Sequence, residues 1–292
     1  MKEENKYLSD NMVRYRCDQI ILNRIDSFIV SHAETKREIK IEIPYINNTN
    51  VKAEMTESIV NIHPENMNAP LQIINEIDFI KCNICLILDH ETGKISRVTN
   101  LDDIKYNWEQ HKQKLCSKIN SICSNNIIDR KHFDQFINLV DENFKNQETF
   151  ILDLTSKIFF DVFFDKYLLG NKIENEIYNK TFYSYLFDKL PITIQLTQSV
   201  TTDKETGFCQ INNYITNDDQ IRKNVDINRI REIYKQRYQP TIKYCFTKYN
   251  YNFNTKVVLG NDNLPTIIEV NIVEEIENNI ELVVVYKIHK LK

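Results

Sequence analysis

The sequence predicts an α+β protein in which antiparallel β-sheets, built from N- and C-terminal hairpins, surround a helical middle segment. Three observations favour this class. Apolar and polar residues alternate near both ends of the chain, and apolar residues recur every three or four positions in the middle. The hexapeptides DHETGK (89–94) and DKETGF (203–208) each interrupt an alternating run. Alternation predicts strands, and the longer spacing predicts amphipathic helices.

The whole chain, 1–292, is predicted to form one compact unit. No linker rich in Gly, Ser or Pro divides it, and such linkers usually mark domain boundaries. The patterns place β-rich regions at 10–99 and 191–292 and a helical region at 100–190.

The N-terminal region begins with two strand-like runs, VRYRCDQIILNRI (13–25) and REIKIEIPYI (37–46). A short helix is predicted for 51–62, ended by His63-Pro64, because a residue before proline disfavours helical backbone angles. Residues 66–70 are predicted as a loop, and an apolar run then leads to the first hexapeptide.

Both hexapeptides are interpreted as hairpin turns. Asp89 and Asp203 can accept hydrogen bonds from backbone N–H groups two and three residues on, and Gly93 and Gly207 can supply the left-handed residue. A calcium loop would need further oxygen ligands and a distal bidentate Glu, which neither copy has. The repeat therefore indicates local backbone chemistry rather than a metal site.

The middle segment predicts three helices. Asn100 and Asp129 are placed to cap the first two, and the third runs from 147 to 169 and ends at Gly170. This third helix is apolar on two faces, which is typical of a helix packed between layers. One of those faces is aromatic and contains Phe159, Phe160, Phe163, Phe164 and Tyr167.

The C-terminal region predicts a short basic helix followed by strands. Asp226 can cap the helix INRIREIYKQRY, which Pro240 ends. Alternating runs then continue to the end of the chain, and Glu277-Asn278-Asn279 predicts a type I′ turn before the last strand.

Composition excludes several classes of function. The chain has 37 basic and 41 acidic residues, a net charge of -4, so no general field attracts nucleic acid or an anionic membrane. No apolar stretch reaches the ~18 residues of a membrane span. The sequence therefore predicts a soluble cytoplasmic protein, and its richness in Ile, Asn and Lys is typical of an AT-rich, bacterial genome. The odd number of cysteines, seven, favours reduced thiols.

No motif predicts a cofactor or a metal. The four glycines are too scattered for a phosphate-binding loop. Cys82 and Cys85 have zinc-knuckle spacing, but a strand would point them to opposite faces. Cys116 and Cys123 share a predicted helix face. All four are interpreted as small buried apolar residues.

The leading functional prediction is a non-catalytic interaction or assembly protein: an adaptor, a structural component or an immunity-type inhibitor. Its partner is another protein, with a homo-oligomer left open, and no catalytic residue is assigned. The predicted contact residues are aromatic or basic, as interfaces favour. They are Tyr234, Arg237, Tyr238, Tyr249, Tyr251 and Phe253. For the last three, the alternative is that they belong to the core.

Two other functions remain open at this stage. A carrier would hold an apolar ligand among Phe159, Phe163, Tyr167, Phe182 and Tyr185. An enzyme with an unfamiliar site could use Asp161 with Asp165, or His111 with His132. Packed aromatics are more often core, and helix histidines are more often surface residues.

Overall fold

A computed structural model describes residues 12–43, 49–124, 130–202, 208–216 and 225–291. Within those ranges, eleven strands form one antiparallel sheet, accompanied by seven α-helices. The predicted α+β class and the antiparallel sheet are therefore confirmed. The placement of the terminal hairpins around a helical middle segment stays a prediction.

The chain forms two compact units. The first contains Lys36–Lys172 together with short pieces from both chain ends, and the second contains Asp18–Thr35 and Ile173–His289. That 1–292 folds as a single unit stays a prediction.

The first two strands are divided between the units, and the next three belong to the first unit. The strands are β1 (Met12–Ile25), β2 (Phe28–Glu42), β3 (Asn50–His63), β4 (Ile84–Leu88) and β5 (Ile95–Val98). They are neighbours in the order β5-β4-β3-β2-β1.

Segment 51–62 is a strand, so the predicted short helix is wrong. Val51, Ala53 and Met55 are buried, while Lys52 and Glu54 between them are more exposed. This alternation is the burial period of a strand, and the β-branched residues of the segment favour it.

Helix α1 (Asn68–Lys81) begins inside the segment predicted as a loop. Pro70 lies in the first turn, where a missing backbone N–H costs little. Ile73 and Ile77, one turn apart, are buried. The apolar run that was expected to lead directly into the first hexapeptide hairpin is therefore mostly helical.

The predicted helix over 147–169 is three shorter segments. They follow α2 (Leu101–Ser124) and α3 (Arg130–Asn143), and are α4 (Gln147–Thr155), α5 (Ile158–Phe163) and a 3-10 turn (Lys166–Leu169). All of them belong to the first unit.

The breaks lie at residues with extended backbone, Lys157 (ψ 129°) and Phe164 (ψ 109°). Just before the first break, the hydroxyls of Thr155 and Ser156 donate to carbonyls three or four residues earlier, at 2.8 and 2.6 Å. Such bonds compete with the helical backbone pattern. Gly170, with φ 71°, ends the last turn as predicted.

The aromatic residues of this segment are buried. Phe159 and Phe163 stack with ring centroids 5.0 Å apart, and the Tyr167 hydroxyl donates to the Phe163 carbonyl at 2.7 Å. Phe160 and Phe164 are at most 2% exposed. Burial of large rings supplies much of the stabilisation of such a core.

Six strands of the second unit form an antiparallel meander in which each strand pairs with the next. They are β6 (Glu176–Tyr183), β7 (Pro191–Thr202), β8 (Cys209–Ile215), β9 (Tyr249–Leu259), β10 (Pro265–Ile276) and β11 (Ile280–Lys290). Strand β6 lies inside the region predicted as helical. Its aromatic and β-branched residues favour the strand.

The turn between β10 and β11 is not type I′. The Asn279 N–H donates to the Ile276 carbonyl at 2.8 Å, and of the two central residues only Asn278 has a positive φ, 62°. Type I′ needs positive φ at both.

The predicted basic helix is confirmed as α6 (Ile227–Arg237), followed by α7 (Gln239–Ile242). The Asp226 carboxylate caps α6 by accepting a hydrogen bond from the Arg229 N–H at 2.9 Å. Among the described helices, none has the length and hydropathy needed to cross a bilayer.

Candidate interaction surface

The tip of the β1–β2 hairpin exposes three consecutive apolar side chains. Phe28 is 74% exposed, Ile29 57% and Val30 44%. The turn before them, Asp26-Ser27, has φ of 48° and 68°, the two positive angles that a type I′ hairpin turn requires. Apolar residues exposed together in this way are typical of binding sites.

Other parts of the second unit hold this hairpin tip in place. The Asp26 N–H donates to the Asn279 carbonyl, and the Tyr244 hydroxyl donates to the Asp26 carboxylate, both at 2.9 Å. Arg24 binds Glu281 at 2.6 Å. The tip is therefore tied to the β10–β11 turn and to the segment after α7.

Helix α6 adjoins the same region. The Tyr234 hydroxyl donates to the Tyr244 carbonyl at 3.2 Å, which joins α6 to the segment that binds the hairpin tip. The Tyr238 hydroxyl donates to the Leu186 carbonyl at 2.7 Å, and Arg237 pairs with Asp188 at 2.8 Å.

These contacts join four segments of the second unit into one surface, which we call the end surface: 24–30, 183–190, 226–248 and 277–281. It exposes Tyr183, Tyr185 and Tyr244, each more than 40% exposed. Tyrosine, phenylalanine and arginine are the residue types enriched in protein interfaces.

The loop 184–190 of the end surface rests on a buried carboxylate, Glu274 of β10. Glu274 is 0% exposed. It accepts hydrogen bonds from the Ser184 hydroxyl (2.5 Å), the Tyr185 N–H (2.8 Å), the Leu186 N–H (3.3 Å) and the Tyr249 hydroxyl (3.0 Å). A buried carboxylate needs several donors to offset its lost hydration, and here those donors fix the start of the loop.

Burial has a direct electrostatic effect on this group. It raises the pKa of Glu274, while the four donors oppose the shift. The pKa of Tyr249 is also raised, mainly by burial and then by the charge of Glu274. The four hydrogen bonds to its carboxylate join β9 and β10 to the start of the 184–190 loop, so we assign Glu274 a positioning role.

The end surface carries a positive charge although the whole chain is negative. Its four segments contain eight basic and six acidic residues. Arg24–Glu281 and Arg237–Asp188 neutralise part of that charge. The end surface thus combines exposed apolar and tyrosine side chains with a small excess of basic residues.

Of the six predicted contact residues, two lie at the end surface and four are buried. Arg237 is exposed and Tyr238 is half-buried, and both contribute to the end surface. Tyr234 is buried beneath it. Tyr249, Tyr251 and Phe253 are also buried, at 4% exposure or less, and so belong to the core of the second unit. Phe182 packs on two of them, with ring centroids 5.6 Å from Tyr251 and 4.5 Å from Phe253.

Sequence reasoning did not single out the hairpin tip. The signal was present, since Phe28-Ile29-Val30 directly follows the turn-forming pair Asp26-Ser27. An apolar run beside a turn also fits an ordinary buried strand, so the pattern alone did not separate the two.

The predicted carrier residues lie in both units. Phe159, Phe163 and Tyr167 are buried in the first, while in the second Phe182 is buried and Tyr185 is 44% exposed. Tyr185 belongs to the end surface.

The candidate catalytic pairs have structural partners. Asp165 caps the 3-10 turn and binds Lys94 at 3.1 Å. Asp161 lies in α5 and its carbonyl accepts from Lys94 at 3.4 Å. His111 is half-buried, 3.2 Å from Glu76, and His132 is exposed.

Cys82 and Cys85, which have zinc-knuckle spacing, lie at the end of helix α1 and in strand β4. Cys82 follows the last residue of α1 and is buried, and burial raises its pKa to about 12. Cys85 lies in β4 and is partly buried, and Cys116 is exposed, so the interpretation of these cysteines as buried residues is wrong for Cys116. The side chain of Cys123 lies outside the described residues. In the part of the chain that the structure describes, no three His, Cys, Asp or Glu residues gather to hold a metal ion.

The first hexapeptide is a turn held by local hydrogen bonds, as predicted. The Asp89 carboxylate accepts from the Glu91 N–H (3.2 Å), the Thr92 N–H (2.8 Å) and the Thr92 hydroxyl (2.7 Å), and these bonds lower the pKa of Asp89. Gly93 has φ 67° and faces the backbone of Asp165. Residues 203–207 of the second hexapeptide lie outside the described residues.

A buried ion cluster in the first unit is structural. Asp78 accepts from Arg37 at 2.9 Å and from Lys157. Lys81 binds Asp153 at 2.7 Å, and burial lowers the pKa of Lys81 despite that carboxylate. Each charge has a bonded partner, the condition under which charges can be buried.

Comparisons with known proteins give no family. No protein-family model and no curated protein matches the chain. Four chains of solved structures match. One is from "lipid-protein interactions in lipovitellin", with a TM-score of 0.46 and 10% identity over 96% of this chain and 25% of that chain. The chain thus spans only a quarter of that protein, and the likeness is too weak to bear on function.

Proposed function

We propose that this chain is a non-catalytic interaction protein that binds another protein through the end surface. The observation that carries the proposal is the hairpin tip: Phe28, Ile29 and Val30 are all exposed beside a turn that hydrogen bonds hold in place. A pre-ordered apolar tip loses little conformational entropy on binding. The proposal includes the cytoplasmic location and the bacterial origin expected from the sequence.

The charge of the end surface favours a partner with an acidic rim around an apolar pocket. In a two-fold homodimer the same surface would face itself. Its excess of basic residues would then repel its copy, whereas carboxylates of a different protein would be attracted. The partner is therefore a different, acidic protein.

The first test identifies that partner. A photo-crosslinking phenylalanine analogue replaces Ile29 at the tip, and in a matched protein it replaces Leu139, which is 67% exposed on α3. The proposal expects one protein to crosslink through position 29 and not through position 139. Equal crosslinking from both positions, or from neither, would contradict it.

The second test uses that protein in pure form. Titration compares the wild type with Phe28→Ser and with Tyr106→Ser, whose tyrosine is 65% exposed on α2. Removal of a hot-spot aromatic costs about 2 kcal/mol, or roughly thirtyfold in Kd. We expect that loss for Phe28→Ser only, together with weaker binding as salt rises.

A further inference from the structure

In the second unit's sheet, the outward face of β7, β8 and β9 is polar but almost uncharged, whereas the outward positions of β10 and β11 include Glu269, Glu275, Glu281 and Lys287. On β7, Ile192, Ile194 and Leu196 are 0% exposed, so the alternate residues point outward. These outward residues are Thr193, Gln195, Thr197, Ser199 and Thr201. Each has a neutral side chain that can form hydrogen bonds, and each is partly buried or exposed.

The neighbouring strands continue this surface. Register places Gln210, Asn212 and Tyr214 of β8 beside the outward residues of β7, and β9 adds Asn250, Asn252 and Asn254. Among the described outward residues of these three strands, only Lys256 is charged. We call this surface the neutral face.

The outward face of β2 and β3 in the first unit differs in composition from the neutral face. Outward positions on β2 and β3 of the first unit carry mostly charges, among them Lys36, Glu38, Lys40, Lys52 and Glu54. A solvated sheet face in this chain is thus ordinarily charged. Composition of the chain as a whole does not explain why β7, β8 and β9 present amides and hydroxyls instead.

Side-chain hydrogen bonds order the neutral face. The hydroxyls of Thr197 and Thr216 are 2.7 Å apart, and the Asn271 amide donates to the Asn254 side chain at 3.0 Å. A hydroxyl has one donor and two acceptor sites, so each keeps capacity for a ligand. Ordered side chains also lower the entropic cost of binding.

The nearly uncharged composition of the neutral face indicates which class of ligand it can bind. A polyanion requires a set of cations, and a basic protein requires carboxylates; the neutral face supplies neither. Neutral, hydroxyl-rich molecules match it, since they exchange hydrogen bonds with amides and hydroxyls. Tyr214, 45% exposed, adds a ring on which an apolar sugar face can stack.

We propose that the neutral face binds a neutral polysaccharide. The outward side chains repeat about every 7 Å along each strand, and the strands lie about 5 Å apart, so one extended sugar chain would meet residues of β7 and β8 together. This site is separate from the proposed protein-binding surface and does not depend on it.

The experiment titrates the full chain with cellohexaose, chitohexaose, maltohexaose and mannohexaose, with dextran sulfate as the charged comparison. We expect saturable binding of at least one neutral oligosaccharide, weakened about tenfold by Tyr214→Ala, the loss of one stacked ring. Tyr106→Ala, which removes an exposed tyrosine from α2, should leave the affinity unchanged.

Asn212→Asp provides a second variant, because it keeps the side-chain shape and adds a charge. It should weaken binding similarly, and unfolding curves of both variants should match the wild type. The proposal is overturned if no neutral oligosaccharide binds, if Tyr214→Ala binds as tightly as the wild type, or if dextran sulfate binds more tightly. Concentration-dependent self-association through this face would overturn it too.

Discussion

Replacement of Glu274 by alanine should destabilise the second unit strongly. The change removes the acceptor of two buried backbone N–H groups, those of Tyr185 and Leu186, and of two hydroxyls. A buried donor left without an acceptor costs about 1–3 kcal/mol. With the cavity that remains, we expect Glu274→Ala to lower the free energy of unfolding by about 3–5 kcal/mol.

The assay is urea unfolding followed by circular dichroism, combined with hydrogen exchange of the Tyr185 and Leu186 amides. Glu275→Ala is the matched control: Glu275 is the next residue, only partly buried, and accepts one hydrogen bond from Asn250 at 2.8 Å. Its removal should cost about 1 kcal/mol. In Glu274→Ala, both amides should exchange faster than in the control.

Equal losses in the free energy of unfolding for Glu274→Ala and Glu275→Ala would contradict a supporting role of the buried carboxylate. Wild-type protection of the two amides in Glu274→Ala would contradict it as well. Either result would show that the loop does not depend on the buried carboxylate.

Three further predictions concern stability. Gly93→Ala should lower the free energy of unfolding by about 3 kcal/mol or more, because Gly93 has φ 67° and a Cβ would lie 2.3 Å from backbone atoms of Asp165. At Gly170 a Cβ would meet nothing within 4 Å, so Gly170→Ala should lower it only by the ~1–2 kcal/mol of a left-handed residue. Asp78→Asn should lower the free energy of unfolding by about 3 kcal/mol in urea titrations, because it leaves buried cations without their counter-charge, and a cost below 1 kcal/mol would contradict this. Because burial raises the pKa of Glu274, its contribution to stability is full below its ordinary value of 4.5 and is lost as pH rises through the folded pKa. Glu274→Gln should remove that part of the pH dependence of unfolding, and an unchanged pH profile would contradict the assignment.

Local backbone chemistry could be predicted from the sequence where the signal is contained in a few residues. The Asp89 turn, the Asp226 cap and the Gly170 stop all follow from side chains that bond to their own backbone or from left-handed glycine. The sequence did not show that Gly93 faces the backbone of Asp165, because that contact joins residues distant in the chain.

The breaks within 147–169 could not be predicted from periodicity. The apolar spacing continues across Lys157 and Phe164, and tertiary packing determines where a helix yields to extended backbone. In segment 51–62 the pattern of apolar and polar residues did not identify the type of element, because both a short helix and a strand can accommodate it.

The alternation of apolar and polar residues predicted which residues of each C-terminal strand share a face, but it did not predict which face is buried. It correctly grouped Tyr249, Tyr251 and Phe253, yet their burial depends on the rest of the unit. In β10, Glu274 lies on the same face of the strand as apolar residues such as Ile272. A charged residue on an apolar face was a signal of the buried network that sequence reasoning missed.

The affinity of the crosslinked partner for Phe28→Ser, measured beside the wild type and Tyr106→Ser, tests the central claim most directly. We expect a Kd roughly thirtyfold higher for Phe28→Ser, and a Kd for Tyr106→Ser equal to that of the wild type. If Phe28→Ser bound the partner as tightly as the wild type, the end surface would not be the binding site and the proposed function would be contradicted.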